Sequence, residues 1–122
     1  SLRQDPRVVN LENTNVSRLD GALITDVVEL VTVDVSYLAL AAAVSQLGRL
    51  RIAPDADLLG LVKPMFELRL PRAPTDLQTA ERAAAAASAG VASCGWRVRQ
   101  VLPSPVTGAR GAVEMLLHAS RV

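Results

Sequence analysis

The 122-residue sequence holds one cysteine, Cys94, one histidine, His118, and one lysine, Lys63. A single thiol excludes an internal disulfide and a thiolate metal cluster, and it suits a reducing, cytoplasmic setting. Aromatic residues are scarce too. Tyr37, Phe66 and Trp96 are the whole set, so the core has to be aliphatic and alanine-filled. No apolar run reaches the roughly 18 residues that a membrane span needs. A net charge of +1 gives no general attraction to nucleic acid. The polar opening Ser1-Leu-Arg-Gln-Asp5 carries neither a secretory leader nor a helix-start signal, and reads as a chain entered in mid-element.

Half of the residues are hydrophobic, which is enough for one core and one domain over 1–122. The organising stretch is Asp57-Leu-Leu-Gly-Leu-Val-Lys-Pro-Met-Phe-Glu67. Leu58–Val62 is a short apolar run, the mark of a strand buried on both faces of a parallel sheet. Pro64 offers no N–H and pushes the residue before it to extended geometry, so the strand stops at Lys63. The carboxyl end of such a strand is where open α/β sheets bind ligands. Every other member of the Lys and Arg set is arginine, so this amine stands out. The plain alternative is a strand-end lysine reaching for water.

Around that stretch the chain reads β, β, α, β, α, β, β. Arg7–Glu12 is a short strand, ended by the turn formers Asn13-Thr-Asn15. Val27–Val35 is a valine-rich strand with Asp34 near its end. Ser36 caps the helix Tyr37–Leu47, and Gly48 closes it. Thr75 and Gln78 form a capping box for a helix that runs to about Cys94. Leu77, Ala80, Ala84, Ala87, Val91 and Cys94 share one face of that helix. Trp96–Leu102 and Ala112–Ala119 then pair as an antiparallel hairpin.

This order brings three charged residues to one sheet edge. Asp34 and Lys63 end two parallel strands, about 4.8 Å apart if adjacent. Glu114 lies near the start of an antiparallel strand, hence at the same edge. The three are expected in one hydrogen-bonded cluster. His118 alternates with Glu114 on its strand, but a surface or core histidine is the commoner case. Cys94 reads as a packed residue, and Arg97, Arg99 and Arg110 as solvated charges with some reach to phosphates.

VTVDVSY, LVKPMFE and GAVEMLL, with LRQDPRVVNLENTN early and PSPVTG late, resemble the TlyA (hemolysin A-like) branch of the FtsJ-type ribose 2′-O-methyltransferases. The resemblance covers nearly the whole chain, in order and spacing. It implies the carboxyl-terminal half of a Rossmann-like methyltransferase domain: parallel strands with crossover helices, ending in an antiparallel hairpin, the amino-terminal strands and cofactor loop missing. It implies S-adenosylmethionine as methyl donor, ribosomal RNA as partner and no metal. By motif, Asp34, Lys63 and Glu114 match the Asp, second Lys and Glu of a catalytic Lys–Asp–Lys–Glu tetrad. Asp34, and Asn15 after the first strand, would lie toward the cofactor.

The departures from the pattern set further expectations. No Gly-rich loop follows any strand, and nothing present answers to the tetrad's first lysine. Leu68–Pro74 is shorter than the Gly-rich basic loop usual there, and Met65 replaces a polar residue. The chain alone is expected not to bind the cofactor tightly, with Lys63 held in an ion pair. The strand at Val8 is expected to stand apart or pair abnormally, beside apolar surface in the gap. The competing reading is a truncated, non-catalytic α/β module that packs against a partner.

Overall fold

A computed structural model describes residues 1–122, and one four-stranded sheet organises them. Strand β1 (Val28–Val33) lies beside and parallel to β2 (Ile52–Val62), and helix α1 (Leu40–Ser45) crosses between them. A one-turn helix α2 (Pro64–Glu67) and the long α3 (Leu77–Ser93) follow β2. The chain then forms β3 (Trp96–Pro103) and returns as β4 (Met115–Arg121). The sheet order is β1-β2-β4-β3, with only β4 reversed. The mixed α/β reading and its terminal hairpin therefore hold.

Strand β2 is not buried on both faces. Ala56, Leu58, Gly60 and Val62 point into the core, while Asp57 and Leu59 between them are exposed. Both α1 and α3 pack on the face carrying Leu58, leaving the other face without a helix. The bare face carries Leu59, Leu102 and Leu116, which are 46%, 48% and 40% exposed. A run of apolar letters does not distinguish these two situations. Strand β2 also begins at Ile52, well before the apolar run. Pro54 hid that start, since a central ladder excludes proline. Here the register against β1 jumps between Val28↔Ile52 and Leu30↔Asp57, and Pro54 sits in that irregular stretch.

No strand forms over Arg7–Glu12. The segment is mostly exposed, and Val8 and Val9 find no ladder to join. An unpartnered strand has nothing to satisfy its backbone, so propensity alone cannot hold one. Only a single 3₁₀ turn, Val16–Arg18, returns to the fold, and Val16 packs on the core near the open edge of β1. A largely apolar cavity of about 340 Å³ lies there, between Val16, Leu19 and Ile24 on one side and β1 on the other.

Three expected caps move. Helix α1 begins at Leu40, not Tyr37, because Tyr37 is left-handed at φ 64°. Its cap residue is Ala39, and Ser36 caps nothing. Gly48 is not left-handed, since the helix has already ended at Gln46. In α3 the cap is Asp76, whose carboxylate accepts from the Thr79 N–H at 2.9 Å and the Thr79 hydroxyl at 2.6 Å. Those bonds hold the Asp76 carboxyl below its ordinary range.

The alanines of α3 do their work by being small. Ala80, Ala83, Ala84, Ala87 and Val91 are buried against α1 and the sheet. Gly90 takes the closest approach: a Cβ there would stand 2.5 Å from Ala41 Cβ. Gly60 plays the same part under α1, where a Cβ would come within 2.6 Å of the buried Leu40 side chain. No helix of the chain is long and apolar enough to cross a membrane.

Candidate functional site

The fold brings the ends of β1 and β2 and the start of β4 to one edge. Asp34 follows the last residue of β1, and Lys63 follows the last of β2. Glu114 immediately precedes Met115, which pairs with Val62. The Lys63 ammonium donates to Asp34 Oδ1 at 2.8 Å and to Ser36 Oγ at 3.3 Å. The lysine side chain is only 20% exposed, whereas that of Asp34 is 71% exposed. The amine is thus packed from behind and presented on an open carboxylate.

Glu114 shares this edge without joining the hydrogen-bonded pair. Glu114 lines a cavity of about 230 Å³ with Lys63, Pro64, Met65, Phe66 and Ala73, yet forms no ion pair with Lys63. The expected three-membered hydrogen-bonded cluster is corrected to the Lys63–Asp34 pair, with Glu114 nearby in the cavity lining. The physical reason lies in the β3–β4 connection. Ser104 N–H donates to the Glu114 carbonyl and Gly108 N–H to the Ala112 carbonyl, both at 2.8 Å. This folds Gly108 onto the Glu114 side chain, where a Cβ would stand 3.0 Å from Oε2. The Glu114 side chain is thus packed against the Gly108 turn.

Asn15 is engaged locally, its Oδ1 accepting from the Ser17 N–H at 3.0 Å. His118 does not face Glu114. Its Nε2 meets Asp57 Oδ1 at 2.9 Å across the β2–β4 ladder, on the helix-free face. Cys94 lies at the end of α3, with Sγ 3.7 Å from the Ala41 carbonyl oxygen. Arg99 Nε donates to Ser120 Oγ at 2.7 Å.

Two polar residues shape this edge in roles that the sequence reading did not give them. Ser36 is the second acceptor for Lys63, which only the folded turn reveals. Glu67 accepts the Leu40 N–H on Oε1 at 2.6 Å and so caps α1 from a distant segment. Nothing in the local sequence hints at this, because Ser36 reads as the cap of that helix. Beside these turns lies a larger cavity of about 580 Å³, lined by Tyr37, Phe66, Glu67 and Arg69 among others. The Tyr37 and Phe66 rings stand 5.2 Å apart, tilted by 55°, and Tyr37 is 88% exposed.

Burial pushes the Glu67 carboxyl above its ordinary range, and the Leu40 N–H only partly counters it. A carboxyl whose folded value is raised contributes stability that is fully present below its unfolded value. That contribution is lost as pH rises through the folded value. Glu67→Gln keeps an acceptor and removes the charge, so it should be more stable than the parent at pH 7. The difference should close in acid, below the ordinary glutamate range. Urea midpoints at the two pH values check this, and a less stable Gln variant at pH 7 would show that the carboxylate's hydrogen bond outweighs its burial.

No family profile matches the sequence. Individual relatives do. The chain is 37% identical over 122 residues to the 16S/23S rRNA (cytidine-2′-O)-methyltransferase TlyA of Mycobacterium tuberculosis, covering 96% of this chain and 45% of TlyA. It is 33% identical over 129 residues to YqxC of Bacillus subtilis, named as a candidate rRNA methyltransferase, covering 96% of this chain and 43% of YqxC. The chain therefore spans less than half the length of these relatives. Among solved structures, a candidate hemolysin from Streptococcus thermophilus superposes with a TM-score of 0.87 at 25% identity, over 99% of this chain and 46% of its own. A candidate hemolysin from Lactococcus lactis gives 0.85 at 23% identity, over 98% and 60%, which is a likeness of fold.

Proposed function

Since the chain belongs with the TlyA-type rRNA methyltransferases, we propose that its strand-end site is the acceptor half of a ribose 2′-O-methyltransferase acting on ribosomal RNA in the cytoplasm. The observation that carries this reading is the Lys63–Asp34 pair at 2.8 Å, at the ends of adjacent parallel strands, with Lys63 and Glu114 lining one cavity. A ribose bound at this cavity would have Lys63 and Glu114 among its neighbours. Lys63 receives the hydroxyl proton when it is a neutral amine, or steers it as the ammonium, as the oxygen becomes nucleophilic. Asp34 and Ser36 hold the amine in line, and Glu114 positions the sugar. The exposed Tyr37 ring, backed by Phe66, offers a face on which a nucleobase can stack.

The methyl donor of this reading is S-adenosylmethionine. Residues 1–122 do not by themselves fit it. The turns that follow β1 and β2 contain no glycine, and Tyr37 brings a side chain to the one left-handed position in the first turn. Asn15, expected toward the cofactor, already has its side-chain oxygen engaged by Ser17. Calorimetric titration of this chain with S-adenosylmethionine should therefore give no saturable heat. A micromolar dissociation constant would overturn that expectation and demand a donor site within these residues. Joined to the amino-terminal portion of TlyA that lies outside the match, the chain should transfer methyl groups to rRNA.

The competing reading is a non-catalytic module, favoured by the exposed leucines on the helix-free sheet face. A folded fusion that binds donor and RNA yet transfers nothing would select it.

A further inference from the structure

The turn after β1 and the turn after β2 carry the two halves of the Lys63–Asp34 pair, yet no backbone hydrogen bond joins them. Besides the apolar contact of the Tyr37 and Phe66 rings, they are joined by side-chain polar contacts at two places. One is Lys63 Nζ on Asp34 and Ser36, and the other is Glu67 Oε1 on the Leu40 N–H. From this arrangement we propose that Glu67 is a positioning residue: its carboxylate fastens one turn to the other and thereby sets Lys63 on Asp34. The inference rests on the reading of that pair as the reacting centre, and adds a residue which that reading does not contain.

Both ends of the fastening are rigid. Lys63 is the cap of α2, and its carbonyl accepts from the N–H groups of Phe66 at 3.0 Å and Glu67 at 3.1 Å. Pro64, at the first helical position, fixes the backbone between them. Lys63 and Glu67 are therefore the two ends of a single closed turn. On the other side, Leu40 is 2% exposed and lies over Gly60, so its N–H cannot follow a moving acceptor. The short run from Asp34 to Leu40 passes through the left-handed Tyr37, a conformation that the backbone adopts only when its surroundings impose it. The Glu67 bond is what closes that run at its far end. The charged or titratable side chains that share the cavity with Glu67 are Tyr37, from the β1 turn, and Arg69, from the segment after α2. Neither forms a hydrogen bond with Glu67; its partner is the Leu40 amide.

If the hydrogen bond rather than the charge does the positioning, glutamine should substitute for Glu67 and aspartate should not. The amide oxygen of Gln reaches as far as the carboxylate, whereas Asp is one methylene short.

The chain's only lysine makes the test direct, because ε-carbon-labelled lysine yields one side-chain resonance. That resonance is recorded in the full chain for the parent, Glu67→Gln, Glu67→Asp and Glu67→Ala. Asp34→Asn supplies the position of an amine that has lost its carboxylate partner. Glu67→Gln should keep the parental shift, while Glu67→Asp and Glu67→Ala move it toward the Asp34→Asn position. Dispersed methyl signals from Leu58 and Leu117 certify that each variant is folded, and Glu67→Asp carries the test should Glu67→Ala fail to fold. Unchanged Lys63 shifts in folded Glu67→Asp or Glu67→Ala would overturn the proposal, as would a Gln variant displaced as far as the Ala variant. The readout involves no methyl transfer. An inactive fusion with these shifts as expected would refute the functional reading alone, and an active fusion with unmoved shifts would refute the positioning role alone.

Discussion

Lys63→Arg in the fused, transfer-competent polypeptide is expected to lower methyl transfer by about 10²–10⁴-fold, the range over which positioned proton-transfer groups act. The Arg side chain keeps a positive charge beside Asp34. It does not give up its proton, so it cannot serve as an acceptor for the ribose hydroxyl. It is also planar and forked where the lysine ends in a compact ammonium. The Lys63 side chain is 20% exposed and shares a cavity of about 230 Å³ with Glu114, so the larger head also takes space meant for the sugar. Initial rates with labelled methyl donor and rRNA decide the matter. Near-full activity of the Arg variant would mean that Lys63 acts only through its charge. Loss of RNA binding, with catalysis of bound substrate intact, would mean that it only docks the sugar.

The parts of this site written in the sequence are those set by local pattern. The apolar run Leu58–Val62, stopped by Pro64, marks a strand end whatever surrounds it, and Val27–Val35 does the same for Asp34. Helix α2 was not foreseen, yet Pro64 at its first position is what makes Lys63 its cap. What remained hidden depends on distant partners. Arg7–Glu12 has strand propensity and no ladder, so it stays irregular. Ser36 looked like a helix cap and became a lysine ligand, because Tyr37 takes a left-handed turn that delays α1. Glu67 became that helix's cap through a contact spanning 27 residues, which no local window contains. Glu114 was placed at the right edge by topology, but its packing against Gly108 was not foreseen.

The one-sided core gives the second large effect. Leu58 and Leu59 are neighbours with the same side chain, yet Leu58 is 0% exposed and Leu59 is 46% exposed. Leu58→Ala should cost about 3–5 kcal/mol, the upper part of the range for buried leucine. The site has little means to collapse around the missing atoms. Leu58 belongs to a cluster in which α3 contributes alanines and one valine, short side chains that have no spare reach. The large side chains that could lean in, Leu40 and Leu117, are themselves fully packed. Against a total stability of about 5–15 kcal/mol for a domain, such a loss unfolds a measurable fraction of the chain. Leu59→Ala, one residue on, should stay within about 0.5 kcal/mol of the parent, because its side chain already faces water. Urea unfolding of the two variants should give a midpoint far below the parental one for position 58 and a nearly parental one for position 59, with similar slopes. Equal losses at the two positions would mean that in solution something covers the second face of the sheet.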